Sequence, residues 1–474
     1  MILNNENMNI TRYVFQHVLT QNRSICKYTY SDLLSLKNQY VGKLQNLRPN
    51  DRVILCGPKS IHYVALLCAI WEKRSIAIPV HQISDLIVKQ SQPNVIWNHH
   101  TWIHHSDKKP MIDSNNIATI LYSSGTTGHP KGILLSHENI IQNLEMIQNS
   151  FHQQISATDS SFSILPWHHC YGLVCELLFL LCNNANVMIP TDSSHPKHMM
   201  NEIKWQNPTL LFTVPKMLET IKKKDIPWIP FSLKKRFLFG NRLRMMSVGG
   251  SSCDPHTLEF FLQNYGLDIY QGYGMTECGP MIALNSKEYN RLGSVGKPLE
   301  HVKIQFSSEQ EIQVQSPSLM IGELDSIQKD QIRIKTIDSW FSTGDKGYMD
   351  RDGYLYIHGR LKSEFKLSNG KYINPVYLEN KLLQSKWIEQ VVLLPSSNQE
   401  RVVALLYLNS SMIPPNQKTI LDEITHILSA CESYEIPKDI HYLKKPMTIE
   451  NGLLSQKYEP KRNILMEKFY QKII

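Results

Sequence analysis

Short apolar runs recur along the chain, each closed by a turn and followed by apolar residues at helical spacing. Residues 52–57 read as a buried strand ending at a Gly-Pro turn, 60–71 as a helix and 75–80 as the next strand. The same order returns at 117–122, 210–214, 243–248 and 267–270. Strands alternating with helices predict a largely parallel sheet covered on both faces. After about Leu299 the pattern shortens: 302–306, 311–315 and 331–337 alternate with period two, as in a small antiparallel or barrel-like subdomain. A final mixed segment from Leu361 carries strand patterns at 389–394 and 402–408 and a helical pattern at 419–431. There is no internal repeat and no low-complexity linker. The expected fold is α/β, with a large multi-subdomain N-terminal domain of mostly parallel sheets plus a small barrel-like subdomain. A small α+β C-terminal domain follows.

Composition narrows the setting. With 474 residues, 42% of them hydrophobic, the chain can bury a large core. Its longest apolar stretches, 63–71 and 173–182, fall well short of the ~20 residues a membrane-spanning helix needs, and Glu176 interrupts the second. No basic-then-apolar leader opens the sequence, so a soluble protein is expected. The net charge of +8 suits anionic substrates such as nucleotides and gives no pointer to nucleic acid. Basic clusters at 222–224 and 234–236 read either as solvated helix faces or as a surface for phosphates or peripheral membrane contact. The nine cysteines fall mostly inside apolar runs without a C-x-x-C pair, as reduced thiols of a cytoplasmic protein do. His99-His100 and His104-His105 sit in a polar stretch without Cys or Glu partners, so no metal is expected there.

The strongest local signal is Tyr122-Ser-Ser-Gly-Thr-Thr-Gly-His-Pro-Lys-Gly132. An apolar strand leads into it and a helix follows, with Ile140, Leu144, Ile147 and Phe151 on one face. Gly125, Gly128 and Gly132 permit bends that let successive backbone N–H groups converge on an anion. Ser123, Ser124, Thr126 and Thr127 add hydroxyls, and Lys131 adds a movable positive charge. Such a loop suits a polyphosphate leaving group, and it is not a Walker loop, because G-x-x-x-x-G-K-[ST] does not occur.

This loop resembles the phosphate-binding signature of the adenylate-forming superfamily of acyl-CoA synthetases, stand-alone adenylation domains and luciferases. The resemblance continues in order. Tyr273-Gly-Met-Thr-Glu277 is similar to the family's Tyr-Gly-x-Thr-Glu motif, and Ser342-Thr-Gly-Asp345 with Gly353-Tyr-Leu-Tyr-Ile-His-Gly-Arg360 to its Thr-Gly-Asp and Gly-Arg motifs. Tyr28-Thr-Tyr-Ser-Asp-Leu33 looks like the family's opening. The match is nearly end to end.

The resemblance implies transfer of AMP from ATP to a carboxylate, giving an acyl-adenylate and pyrophosphate. It implies that Glu277 holds Mg²⁺, which favours hard oxygen ligands, and that Thr276 contacts the α-phosphate. Gly249, Gly250 and Ser251 would lie beside adenine and the acyl group, and Tyr273 and Gly274 beside the base. Asp345 would accept from both ribose hydroxyls, with Arg360 nearby. Leu165-Pro-Trp-His-His-Cys-Tyr-Gly172 is similar to the Leu-Pro-x-x-His-x-x-Gly motif of fatty acyl-CoA synthetases, with His169 at the histidine position. The stretch 162–165 lacks the Asp with which amino-acid-activating relatives pair an amine, which favours a medium- or long-chain fatty acid. Gly359-Arg-Leu-Lys362 resembles the family hinge, with Lys362 at the pivot. This divides the chain into an AMP-binding domain, 1–360, and a mobile C-terminal domain, 361–474. Ser368, Asn369 and Gly370 lie in the loop implied to enter for transfer to coenzyme A.

Two departures matter. Near the C-terminus, where the family carries a catalytic lysine, gapless alignment places Glu459, and a short shift makes Lys457 or Lys461 the candidate. Lys457, after the Ser-Gln turn, is favoured. Between Pro79 and Tyr122 the chain has one short polar passage where the family has extra sheet and helix. The leading expectation is an AMP-forming acid–thiol ligase using ATP, Mg²⁺ and coenzyme A. The alternatives are an enzyme loading a carrier protein's phosphopantetheine and a catalytically retired nucleotide- or lipid-binding relative. Oligomeric state is left open.

Overall fold

The structure is a computed structural model that describes residues 8–16, 24–25, 28–99, 101–104, 116–124, 130–151, 154–191, 196–223, 225, 229–324, 332–334, 340–361, 364–409, 416–454 and 460–471. Two compact units divide the chain. The first comprises 1–305, 313–341 and 349–356, and the second 306–312, 342–348 and 357–474.

The first unit contains two large sheets. In one, the strands Arg52–Cys56 and Ile76–Val80 run parallel and are buried along their whole length, as their unbroken apolar patterns demand. Helix Ile61–Glu72 joins them; Ser60 caps it by accepting from the Tyr63 N–H, and ten of its twelve residues are buried. Val95–Asn98 extends this sheet in parallel, and Thr101–His104 folds back on it as an antiparallel strand. The passage expected to be one short polar stretch therefore forms helix Asp85–Ser91 and a strand hairpin. His99 sits in the tight turn at φ 47°, and His104 hydrogen-bonds the Asn94 carbonyl at 3.1 Å.

The segment around the glycine-rich loop differs from the expected strand–loop–helix order. Ile117–Ser124 is followed by a second strand, Pro130–Ser136, paired antiparallel with Tyr122 opposite Gly132 and Ser123 opposite Lys131. Helix His137–Phe151 begins only after that strand, so its N-terminal dipole does not open on the loop. Ile140, Leu144, Ile147 and Phe151 are all buried on its inner face. Pro130–Ser136 then pairs with Gly322–Leu324, and Gly322–Leu324 with Ile332–Ile334. The strand expected near 331–337 thus belongs to the edge of this sheet rather than to a small subdomain.

The second sheet has its parallel strands in the order Asp268–Gly274, Met245–Val248, Leu210–Thr213, Ser160–Phe162, Asn186–Met188. Its core includes Phe162, Leu211, Met246, Val248, Phe239 and Phe261. A separate four-stranded sheet takes Lys303–Phe306, Glu311–Gln315, Phe341–Met349 and Leu355–Arg360, in that order.

In the second unit, Ile388–Pro395 and Val402–Leu408 pair antiparallel, and Asp439–Tyr442 adds a parallel strand. Alternation assigns the two faces. Val391 and Leu393 pack with Leu378, Leu382, Ile420 and Ile424 of two helices, while Val392 and Leu394 pack with Leu453, Leu454 and Leu465. Arg462 grips Glu379 through two 2.6 Å hydrogen bonds, and Glu379 also accepts from the Leu393 N–H, which ties helix Arg462–Tyr470 to this sheet. No helix among the described residues is long and apolar enough to cross a membrane.

Candidate functional site

Four neighbouring strands of the second sheet run parallel, so their carboxyl ends share one edge, the usual place for a ligand crevice in such sheets. Beyond that edge stand the 163–170 segment, Gly249–Ser251 and the turn Thr276–Cys278.

The Thr276–Cys278 turn is held from behind. The Met275 N–H donates to the Pro280 carbonyl at 2.9 Å, Met320 N–H to the Glu277 carbonyl at 2.8 Å, and Ser318 hydroxyl to the Cys278 carbonyl at 2.7 Å. Gly274 makes the turn possible, because a Cβ there would lie 2.2 Å from the Pro280 carbonyl oxygen. Tyr273, Thr276 and Glu277 are left half-buried. Thr276 Oγ1 lies 3.2 Å from Cys170 Sγ.

The 163–170 segment wraps around one buried acid. Glu176, wholly buried in the π-helical stretch Tyr171–Leu178, accepts from Ser163 hydroxyl at 2.7 Å. Ser163 Oγ in turn accepts from Trp167 Nε1 at 3.0 Å, and Lys59 Nζ donates to the Ser163 carbonyl at 2.8 Å. Burial pushes Glu176 up to about 7, although Lys59 and the Ser163 hydroxyl pull against it; burial pulls Lys59 down to about 8 against the opposing effect of Glu176. Gly172 closes the segment, since a Cβ would meet the Pro166 carbonyl oxygen at 2.3 Å. The rings of His81, His168 and His169 follow one another, with centroids 5.3 and 4.4 Å apart. Burial, with His169, His81 and Lys59 nearby, pulls His168 down to about 3, so it is neutral at physiological pH. His169 is half-buried beside it.

Gly249, whose N–H donates to the Thr213 carbonyl at 3.3 Å, lies over the half-buried Tyr171 ring, and Tyr171 hydroxyl reaches Ser247 Oγ at 3.3 Å. Gly250 and Ser251 are exposed. The structure thus brings together Thr276, Glu277, His169, Tyr273, Gly274 and Gly249–Ser251 along one sheet edge. At the other sheet, Ser123 is half-buried, and Lys131 donates to Glu323 at 3.0 Å. Only the backbone of Ser124 is described; Gly125, Thr126, Thr127 and Gly128 lie outside the described residues, as do Lys362 and Lys457.

In the second unit, Asp345 is 5% exposed and its Oδ1 is 3.2 Å from Arg360 Nε. Its N–H donates to Thr343 Oγ1, and Thr343 hydroxyl to the Ile312 carbonyl. Ser368, Asn369 and Gly370 form an exposed turn between two short strands, closed by Gly370 N–H on the Leu367 carbonyl at 2.9 Å. Lys461 is exposed at the start of helix Arg462–Tyr470, and its N–H donates to the Leu453 carbonyl at 2.9 Å.

Sequence reading missed four partners. Cys170 on Thr276 gave no signal in its spacing. Glu323 on Lys131 is separated from it by most of the unit. Lys59 and Ser163 on Glu176 could have been sought, because a lone acid inside the 173–182 apolar run demands buried partners. For a divalent cation, no group of three His, Cys, Asp or Glu exists among the described residues. A single carboxylate, Glu277, completed by substrate phosphates is nonetheless an arrangement Mg²⁺ accepts.

The profile of the AMP-binding enzyme family matches residues 81–324, about half of the chain. The chain belongs to that family. It is 26% identical to the peroxisomal long chain acyl-CoA synthetase 6 of Arabidopsis thaliana, over 76% of this chain and 60% of that protein. It is also 26% identical to fatty acyl-CoA synthetase B of Dictyostelium discoideum, over 78% and 64%. The chain thus spans roughly three-fifths of the length of these relatives. Its fold is similar to that of the anthranilate CoA ligase AuaEII in complex with anthranoyl-AMP, with a TM-score of 0.79 at 18% identity over 97% of both chains. ATP-bound MatB from Rhodopseudomonas palustris is similar at a TM-score of 0.78 and 19% identity, covering 98% of this chain and 99% of that one.

Proposed function

We propose that the protein is an AMP-forming acid–thiol ligase that activates a medium- or long-chain fatty acid and passes it to coenzyme A. The observation that carries this reading is the 3.2 Å approach of Cys170 to Thr276. It joins the segment of the acyl-side histidine to the turn of the α-phosphate threonine. Likeness to long-chain acyl-CoA synthetases over three-quarters of the chain supports the same substrate class.

In the first half-reaction a carboxylate oxygen attacks the α-phosphorus of ATP, the bond to pyrophosphate breaks and acyl-AMP forms. Thr276 donates its hydroxyl to the α-phosphate, Tyr273 packs on the adenine, and the 122–132 loop with Lys131 holds the departing pyrophosphate. Glu277 would hold Mg²⁺, whose charge offsets that of the phosphates. Asp345 accepts from the ribose hydroxyls, with Arg360 alongside, and Lys457 supplies a cation beside the attacked phosphate. His169, neighbour of a neutral imidazole, orients the acid. In the second half-reaction the thiol sulfur attacks the acyl carbon, its proton is lost and AMP leaves. For this step the 361–474 domain turns about Lys362 and brings Ser368, Asn369 and Gly370 to the thiol. A cytoplasmic setting belongs to the same proposal.

The test is acid-dependent exchange of labelled pyrophosphate into ATP, followed by thioester formation with coenzyme A across a chain-length series. Exchange with thioester peaking at medium or long chains is expected. Exchange without thioester would transfer the acceptor role to a carrier-protein thiol, and nucleotide binding without exchange with any acid would overturn the enzymatic reading.

A further inference from the structure

Helices Pro196–Gln206 and Phe231–Phe239 lie side by side on the first unit. Their inner faces feed one core, with Ile203 and Phe239 fully buried and Met199, Met200 and Leu238 packed against it. Asn207, just beyond the first helix, binds Asn241, just beyond the second, through side chain and backbone at 2.8 Å, which fixes the two ends together.

The outer face is unusual. Trp205 is 85% exposed, although tryptophan is among the residues with most to gain from leaving water. Leu233 and Phe237, one helical turn apart, are 49% and 47% exposed, and Arg236 stands between them on the same face, also exposed. Lys204, next to Trp205, sets its Nζ 4.5 Å from the Phe237 ring centroid, which joins the two helices' outer residues into one patch. The basic cluster at 234–236 therefore divides. Lys234 is buried on Asp225 and Lys235 is half-buried, while Arg236 turns outward. The two helices carry one carboxylate between them, Glu202, and it is occupied by the backbone N–H and hydroxyl of Thr191.

We propose that this face docks on an anionic lipid bilayer. Trp205, Leu233 and Phe237 enter the headgroup region, and Lys204 and Arg236 meet lipid phosphates. Large apolar side chains interleaved with cations, with the helices' one acid held by Thr191, are what an interfacial surface requires. A second copy of the chain is a poor occupant, because a two-fold contact would set Lys204 and Arg236 against their own equivalents without a carboxylate to answer them. The proposal stands independently of the acid–thiol ligase reading.

The test is co-sedimentation of the full chain with vesicles of phosphatidylcholine alone or with phosphatidylserine added. Binding is expected only with phosphatidylserine and should weaken severalfold between about 0.1 M and about 0.5 M salt. Trp205→Ala and Phe237→Ala should each lower the partition about tenfold, and Lys204→Gln and Arg236→Gln about fivefold each. All four sites are exposed, so circular dichroism and unfolding midpoint should stay as in the parent. Equal binding by Trp205→Ala, or no binding to either vesicle, would overturn the proposal. So would a concentration-dependent dimer abolished by Trp205→Ala, which would give the face to a second copy.

Discussion

Lys59 and Glu176 share the hydroxyl of Ser163. It donates to Glu176 Oε2 at 2.7 Å and accepts from Lys59 Nζ at 3.4 Å, with Ser163 and Glu176 wholly buried and Lys59 half-buried. The acid comes from the π-helical stretch and the amine from the loop ahead of helix Ile61–Glu72. Together with Trp167, they fix the segment that carries His168 and His169.

Removing one member should therefore cost more than removing the pair. Glu176→Leu leaves the half-buried Lys59 without its counter-charge and the buried Ser163 hydroxyl without its acceptor, and is expected to lose about 1–3 kcal/mol in urea unfolding. The Lys59→Met/Glu176→Leu double variant should lie within about 1 kcal/mol of the parent or above it. A double variant as unstable as the single one would show that the two charges are not coupled.

The pair also sets a pH dependence. Glu176 rises on folding from the usual glutamate range to about 7, so its contribution is complete below about 4.5 and is lost as pH climbs toward 7. Lys59 falls to about 8, so its contribution is present above about 10.5 and is lost as pH drops toward 8. Measured against the parent, the melting temperature of Glu176→Gln should climb between pH 4.5 and 7, because only the parent loses stability there. A flat difference across that window would refute the assignment.

Two glycines should be intolerant for one steric reason. A Cβ at Gly274 would sit 2.2 Å from the Pro280 carbonyl oxygen, and one at Gly172 would sit 2.3 Å from that of Pro166. Each alanine must displace backbone that carries Thr276 or His169. Pyrophosphate exchange is expected to fall about 100-fold or more in Gly274→Ala and Gly172→Ala, with about 1–3 kcal/mol lost in stability. Exchange within threefold of the parent would show that the turn geometry does not govern the site.

Lys131 must leave Glu323 to reach a pyrophosphate. Their 3.0 Å pair is partly exposed, so breaking it should change stability by no more than about 1 kcal/mol. Lys131→Ala should raise the KM for ATP about tenfold by removing a charge-assisted contact, whereas Glu323→Gln should leave it unchanged or lower it. A higher KM in Glu323→Gln would instead make the acid part of the binding site.

Cys170 offers a chemical probe of Thr276. Among the described cysteines only Cys170 and Cys431 are not buried, and burial raises Cys431. Alkylation with iodoacetamide should abolish exchange with a rate slowed by ATP, and Cys170→Ser should resist it while keeping activity. Equal inactivation of the Ser variant would place the reactive thiol elsewhere.

Much of this could be seen in the chain itself. The buried strands 52–56 and 76–80 and the helix between them follow from unbroken apolar runs and a serine cap, since these signals are local. The two faces of Ile388–Pro395 follow from alternation. Where reading failed, the deciding partner was distant. Pro130–Ser136 starts with proline, lysine and glycine, yet it is a strand because Ile117–Ser124 and Gly322–Leu324 satisfy both of its edges. Ile332–Ile334 joins the same sheet for the same reason.

By itself the sequence determined the alternation of strands and helices, the motif residues Thr276, Glu277, His169 and Asp345, and the family they resemble. Each of those signals is contained within a few consecutive residues. Only the tertiary structure decided that Cys170 meets Thr276, that Lys59 answers Glu176, that Lys131 rests on Glu323, and that Trp205 joins Phe237 in one outward patch. Each of these depends on side chains brought together by chain segments whose separation sequence spacing does not encode, and burial then gives the pairing its energy.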